Sequence, residues 1–200
     1  MVLKGGVAMR LPNGLCKELK ETFKEDYPLI RKGLLFAERK HKDAVRDDGS
    51  PYFWHPLRVA EYVRKFKQSK NPTILYLSAL LHDILEDTYT SYRELCETFG
   101  ETIASTVMEL STPKFAPKFI DGKAMYLSRK MQNMTSYALY IKLCDRLDNV
   151  CSLNGCTEEK RNRILNDTRI ILDNIKANAR LSETHNKVIL AIEEEMKKYN

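Results

Sequence analysis

Apolar residues recur three and four positions apart along nearly the whole 200-residue chain, and strict alternation of apolar and polar residues is scarce. This pattern predicts an all-α protein. Apolar periodicity and helix start and stop signals together predict helices at 15–23, 28–44, 56–66, 74–85, 91–100, 101–110, 123–131, 136–153, 157–179 and 183–199. Residues 111–122 contain two prolines and one glycine, so we expect them to form a loop.

The same pattern indicates which parts of the chain form the core. The stretch 74–85 is the most apolar of all, which predicts one continuous helix at the centre of the molecule. In the helix expected at 28–44, we predict that Leu29, Leu35 and Phe36 face the core. A chain of this length suits a single hydrophobic core, so we expect one domain over residues 1–200.

Composition narrows the class of protein. The hydrophobic fraction of 43% is ordinary for a soluble globular chain, and no apolar run approaches the length of a bilayer span. The segment Met1–Arg10 lacks the apolar centre of a secretory signal. The five cysteines are odd in number and form no Cys-x-x-Cys pair, which disfavours a disulfide framework or a thiolate zinc site. We therefore expect a cytoplasmic protein without a membrane partner.

The formal net charge of +6 suits a polyanionic partner. Lysine and arginine are scattered among acidic residues, however, with no run of five and no basic patch interleaved with aromatic residues. An ordinary solvated surface explains the same charge. The sequence therefore predicts no nucleic-acid partner.

Candidate chemistry begins with a His-Asp doublet, His82-Asp83, inside the most apolar segment of the chain. Burying a carboxylate without a partner costs several kcal/mol or more, and a bound divalent cation would offset that cost. In a continuous helix, His82 with Glu86 and Asp83 with Asp87 would share one helix face, since each pair is four residues apart. The alternative interpretation is a helix end with a polar last turn.

Two further segments also contain a residue that could bind a metal or could have only a structural role. Asp145 has apolar neighbours on both sides, and Asn149 lies four residues later; an ion pair with an arginine is the alternative interpretation. His55 precedes Pro56, which favours extended backbone at a helix start, so its ring could point into a cavity. A histidine packed beside the neighbouring aromatic residues is the alternative.

Two imidazoles and two carboxylates suit one divalent ion such as Mn²⁺, Fe²⁺ or Zn²⁺, with positions left for water. The candidate metal ligands are His55, His82, Asp83 and Asp145. Glu86 and Asp87 are candidates to orient the attacking water and to move its proton.

The spacing of these groups resembles the HD superfamily of phosphohydrolases, which combines a histidine, a His-Asp doublet and a distant aspartate. Three segments also resemble the hydrolase domain of the RelA/SpoT family: Arg46-x-x-Gly-x-Pro-Tyr-x-x-His-Pro-Leu-x-Val-Ala60, Ala79-Leu-Leu-His-Asp-Ile-Leu-Glu-Asp-Thr88, and Lys142-Leu-x-Asp-Arg-Leu-x-Asn149. The likeness covers residues 38–153, whereas the helices at 157–199 match only in helical character. In extent, the chain resembles the small alarmone hydrolases of the metazoan SpoT-homologue type.

The resemblance implies an HD-domain helical bundle with a metal site between helices. It also implies removal of the 3′-pyrophosphate from ppGpp or pppGpp, giving GDP or GTP and pyrophosphate, typically with Mn²⁺. By the same resemblance, the four candidate ligands hold the metal, while Glu86 and Asp87 activate and position water near the scissile phosphate. Arg46 would stack on guanine, Asn149 would contact the ribose, and Ser152 occupies a nearby position.

The resemblance assigns no role to two residues of the third segment, Lys142 and Asp148. Asp148 stands where the long enzymes often have histidine, and its negative charge beside Asn149 puts base and phosphate specificity in doubt.

Two other functions stay open from the residues alone. One is an HD phosphohydrolase for another nucleotide, either an adenine alarmone or NADPH through its 2′-phosphate, because the fold does not determine the substrate. The other is a nucleotide-binding partner protein with little turnover, which the complete set of ligands and acids disfavours. In each case the expected partner is a small nucleotide, and the oligomeric state is left open.

Overall fold

The computed structural model describes residues 11–12, 14–112 and 121–199. The segment Met1–Arg10 and most of the loop predicted at 111–122 therefore lie outside the described residues.

The described residues form α-helices joined by short connections. Their bounds are α1 Leu15–Phe23, α2 Tyr27–Lys40, α3 Trp54–Phe66, α4 Pro72–Leu80, α5 Ile84–Asp87, α6 Tyr92–Phe99, α7 Glu101–Leu110, α8 Lys123–Gln132, α9 Ser136–Cys151, α10 Glu158–Asn178 and α11 Glu183–Met196. Within the described ranges there is no strand, only an isolated antiparallel bridge between Val45 and Pro51. The all-α prediction is confirmed.

The expected face of α2 is partly wrong. The buried stripe of this helix follows the spacing i, i+3, i+4, i+7 through Ile30, Gly33, Leu34 and Ala37. Leu35 lies off that stripe and is 50% exposed, in contrast to our prediction. Phe36 is buried as expected, and Leu29 is half-buried.

The central helix predicted at 74–85 is interrupted. Helix α4 ends at Leu80, residues 81–83 form a turn, and α5 begins at Ile84. A local hydrogen bond accounts for the break: the ring Nδ1 of His82 lies 2.8 Å from the carbonyl oxygen of Ala79. That oxygen would otherwise accept the backbone N–H of residue 83, so the side chain competes with the helix. The His-Asp doublet therefore lies in a turn, and the argument from a shared helix face does not hold for His82 and Glu86. Asp83 caps α5 and its carbonyl oxygen accepts the backbone N–H of Asp87 at 2.9 Å, so the helical spacing of that pair is retained.

Helix α9 is the centre of the bundle. It packs against α3, α4, α7 and α11, while α3 and α4 pack against each other and α8 packs against α10. Its residues Leu139, Tyr140, Ile141 and Leu143 are all buried, and the Tyr140 hydroxyl donates a hydrogen bond of 2.8 Å to the carbonyl oxygen of Val63 on α3. This packing fixes α9 and α3 side by side and close to the turn after α4.

Among the helices of the described ranges, none is both long enough and apolar enough to cross a membrane.

Candidate metal centre and substrate cavity

Three separate segments bring the candidate ligands together. His55 lies in the first turn of α3, and Asp145 lies on α9. The turn between α4 and α5 carries His82 and Asp83. The loop before α3 is held in shape by backbone hydrogen bonds, among them the bond of 2.8 Å from Tyr52 N–H to the carbonyl oxygen of residue 44.

The four candidate ligands converge, as predicted. The Nε2 atom of His55 lies 3.3 Å from Asp83 Oδ2 and 3.3 Å from Asp145 Oδ1. The Nε2 atom of His82 lies 3.1 Å and 3.7 Å from the same two oxygens. His55, His82 and Asp83 can offer ligand atoms that all lie within 4.8 Å of one another, and Asp145 approaches both imidazoles of that group.

Each imidazole is oriented by a hydrogen bond on its other nitrogen. Nδ1 of His82 bonds to the carbonyl oxygen of Ala79 at 2.8 Å, and Nδ1 of His55 bonds to Asp148 Oδ2 at 2.7 Å. Because these acceptors hold the ring proton on Nδ1, both Nε2 atoms face the two carboxylates. His82 Nε2 is buried beside the two carboxylates, 3.1 Å from Asp83 Oδ2, but makes no well-oriented hydrogen bond among the described residues.

The two carboxylates are also held in place by polar neighbours. The Tyr52 hydroxyl donates to Asp83 Oδ2 at 2.6 Å, and Asn149 Nδ2 donates to Asp145 Oδ1 at 2.8 Å. Lys142, which had no assigned role in the sequence motif, forms an ion pair with Asp145: its Nζ lies 2.9 Å from Asp145 Oδ2. The ammonium partly offsets the cost of burying that carboxylate.

The opposite charges in this cluster raise the pKa values of the two histidines and lower the pKa of Asp83. Burial alone would lower the pKa of His82, but Asp83 and Asp145 outweigh it and raise that pKa to about 9. Burial is likewise outweighed at His55, whose hydrogen bonds to Asp145, Asp148 and Asp83 raise its pKa well above the ordinary value. The pKa of Asp83 is held well below its usual range, since His82 and His55 outweigh the effect of its burial.

The cluster opens into a cavity of about 850 Å³, a size common for small-molecule sites. Six basic side chains line it together with five acidic ones, which are Asp83, Glu86, Asp87, Asp145 and Asp167. The basic residues are Arg46, Lys123, Lys142, Arg146, Lys160 and Arg163. A cavity with this lining can hold a ligand that carries several negative charges.

Both candidate catalytic acids line the cavity. Glu86 accepts a hydrogen bond from the backbone N–H of Thr112, and burial is the main cause that raises its pKa. Asp87 lies at the end of the same short helix, α5. A carboxylate with a raised pKa is a stronger proton acceptor than an ordinary glutamate.

The predicted substrate contacts divide into two groups. Arg46 and Asn149 both line the cavity, with Arg46 Nη1 3.5 Å from Asn149 Oδ1. Ser152 is not among the described residues that line it; its hydroxyl oxygen lies 3.4 Å from Nη2 of Arg58. The substrate contact of Ser152 stays a prediction without support from the lining.

Sequence reasoning missed part of this site. Tyr52 contacts the candidate ligand Asp83 directly, and Arg58 contacts Asp148, which in turn bonds to His55. Tyr52 is part of a sequence motif, but no role was assigned to it. Lys160 and Arg163 come from α10, where the resemblance reached only helical character, so no local signal placed them beside the candidate ligands.

Comparison with known proteins identifies the same family that the sequence motifs indicated. An HD domain model matches residues 33–180, nearly three quarters of the chain. A guanosine-3′,5′-bis(diphosphate) 3′-pyrophosphohydrolase of Aquifex aeolicus is 36% identical over 148 residues, 70% of this chain and 20% of that protein. The chain thus spans about a fifth of the length of this first relative.

A shorter relative is covered more fully. The pyrophosphohydrolase MESH1 of Xenopus tropicalis is 34% identical over 136 residues, 67% of this chain and 74% of the relative. A solved structure, described as a metazoan orthologue of SpoT that hydrolyses ppGpp, has a TM-score of 0.71 at 24% identity and covers 86% of this chain and 96% of its own. That likeness concerns the fold. Together with the convergence of the His-Asp doublet on His55 and Asp145, these matches confirm the resemblance stated from the sequence: the chain belongs to the HD domain family.

Proposed function

We propose that this protein is a metal-dependent hydrolase that removes the 3′-pyrophosphate from ppGpp or pppGpp, giving GDP or GTP and pyrophosphate. The observation that carries the proposal is the opening of the two-imidazole, two-carboxylate cluster into a cavity lined by six basic side chains. The names of the relatives in Aquifex and Xenopus support the same substrate.

An HD domain implies a divalent-metal site, and the chain has donors that fit one. The buried His82 Nε2 atom faces both carboxylates without a well-oriented hydrogen bond to them, which fits a nitrogen that binds a metal together with those carboxylates. We assign His55, His82, Asp83 and Asp145 as the ligands. The resemblance to the RelA/SpoT hydrolases favours Mn²⁺ as the ion, although Fe²⁺ and Zn²⁺ suit the same donors. When bound, the ion supplies Lewis-acid activation of water and of a phosphoryl oxygen.

The remaining roles fall to side chains of this chain. Glu86, half-buried at the edge of the cavity, takes a proton from the attacking water, whose oxygen forms a bond to the phosphorus on the 3′ oxygen. Asp87 orients that water. The bond between phosphorus and the 3′ oxygen breaks, and the 3′ oxygen receives a proton from protonated Glu86 or from solvent, which returns Glu86 to its carboxylate form. Arg46 and Asn149 hold the nucleoside, and the basic side chains neutralise the phosphates.

The direct test incubates the purified chain with ppGpp and Mn²⁺ and identifies the products. We expect GDP and pyrophosphate in equal amounts, with no turnover once a chelator removes the metal. Release of orthophosphate, or turnover only of an adenine alarmone or of NADPH, would assign a different substrate to the same centre. Tight binding of ppGpp in excess Mn²⁺ without products would contradict an enzyme function.

The proposed ligand set also predicts proton release on metal binding. Because the pKa of His82 is raised to about 9 in the metal-free protein, its ring is mainly protonated at neutral pH, and binding to the neutral ring must expel that proton. Affinity for Mn²⁺ should therefore rise with pH, about tenfold per pH unit for each proton released. Calorimetric titrations in buffers of different ionisation enthalpy measure the number of protons. An affinity that is independent of pH below about 8 would contradict the assignment of His82.

A further inference from the structure

Asp148 is a buried carboxylate that the proposed reaction does not use. It lies on α9, three residues after Asp145, with none of its side chain exposed. It is absent from the described residues that line the cavity, so its charge does not face a substrate there. The doubt about specificity that its sequence position raised therefore has no structural basis in the lining.

Two partners on α3 enclose this carboxylate. Arg58 holds it with two bonds, from Nε to Oδ1 at 2.6 Å and from Nη2 to Oδ2 at 3.0 Å. Oδ2 also lies 2.7 Å from Nδ1 of His55. The side chain of Arg58 is 41% exposed, so the guanidinium keeps contact with water while neutralising the buried carboxylate.

The arrangement fixes the state of the His55 ring. An ionised carboxylate can only accept hydrogen bonds, so Nδ1 of His55 must carry the proton that joins them. Nε2 then remains for the centre, 3.3 Å from both Asp83 and Asp145. For His82 the same task falls to the backbone carbonyl of Ala79, which a side-chain substitution does not remove.

The spacing of these groups ties two helices together at the centre. His55 and Arg58 are three residues apart on α3, and Asp145 and Asp148 are three residues apart on α9. One turn of each helix therefore carries a proposed ligand and a member of the supporting pair. From this geometry we infer that Asp148, clamped by Arg58, is a positioning residue that orients His55 for the metal; the inference rests on the proposed ligand set.

The test measures Mn²⁺ affinity without any nucleotide, by electron paramagnetic resonance of the free ion. Asp148→Ala should weaken binding about 10- to 100-fold, the usual effect of removing the hydrogen-bond partner of a metal-bound histidine. Asp148→Asn should weaken it less, because the amide oxygen can still accept from Nδ1, and it guards against misfolding of the alanine variant. Circular dichroism in chelator establishes that each variant is folded.

A matched control comes from the same helix. Glu61 on α3 also pairs with an arginine, Arg64, at 2.6 Å, and accepts a hydrogen bond from Tyr76. Glu61→Gln should change stability but leave Mn²⁺ affinity at the wild-type value. If Asp148→Ala and Asp148→Asn are folded and both bind Mn²⁺ as tightly as wild type, Asp148 is merely structural and the inference is overturned.

Failure of the proposed function gives a different result. A wild-type chain that binds Mn²⁺ but does not hydrolyse ppGpp would contradict the substrate, while weaker binding by the Asp148 variants would still support the positioning role. A wild-type chain that binds no divalent ion would overturn the ligand set and this inference together.

Discussion

Replacing Glu86 with glutamine is expected to lower kcat for ppGpp hydrolysis about 10²- to 10⁴-fold, the usual contribution of a positioned acid or base. Glutamine keeps the size of the side chain and an oxygen that can accept the Thr112 N–H, so the fold around α5 should be retained. It cannot take a proton from water. Burial raises the pKa of Glu86, which makes its carboxylate a stronger proton acceptor than an ordinary glutamate.

The measurement is steady-state turnover at saturating Mn²⁺, combined with the Mn²⁺ affinity of each variant. We expect wild-type metal affinity in Glu86→Gln, and we expect Asp87→Asn also to lose turnover while keeping the metal. Glu94→Gln is the matched control, because Glu94 pairs with Lys40 outside the cavity lining and should retain full activity. Full activity in both Glu86→Gln and Asp87→Asn would remove the assigned roles.

Replacing His82 with alanine should abolish both metal binding and turnover. The ring Nε2 is buried between the two carboxylates, and its loss leaves one imidazole in the proposed ligand set. Since removing a mere hydrogen-bond partner of a ligand costs about 10- to 100-fold in affinity, loss of the ligand itself should cost more than about 100-fold. Turnover should then fall below detection at Mn²⁺ concentrations that saturate the wild type.

A thermodynamic measurement tests the same substitution independently of activity. At a concentration 100 times the Kd, a ligand that binds only the folded state adds about 2.7 kcal/mol to the free energy of unfolding. Mn²⁺ should stabilise the wild type by that amount and leave His82→Ala unchanged. His185→Gln serves as control. This buried histidine accepts a hydrogen bond from the backbone N–H of Ser182 before α11, and its Nε2 lies 2.9 Å from the carbonyl oxygen of Ser136 at the start of α9, so its loss should lower stability without affecting metal binding. Wild-type Mn²⁺ stabilisation of His82→Ala would contradict the ligand assignment.

Periodicity was sufficient for helices such as α1 and α7, because each buries one stripe and a stripe of apolar residues is visible in the sequence. The helices at 15–23 and 101–110 match their predicted bounds for this reason. The method failed at residues 81–83, because apolar residues flank the His-Asp doublet on both sides and their spacing gives no sign of a turn. It also failed at Leu35, because the sequence alone does not distinguish an apolar residue beside the buried stripe from an apolar residue within it.

The sequence by itself determined the helical class, the family and the four candidate ligands, since those depend on short motifs and on residue types that are costly to bury. Only the tertiary structure decided how the ligands are held. Arg58 and Asp148 are 90 residues apart, and their pairing depends on the packing of α3 against α9. The basic side chains of α10 reach the cavity in the same way. Contacts between distant segments arise from packing geometry, and the sequence around a charged residue on a helix does not indicate which distant residue it will contact.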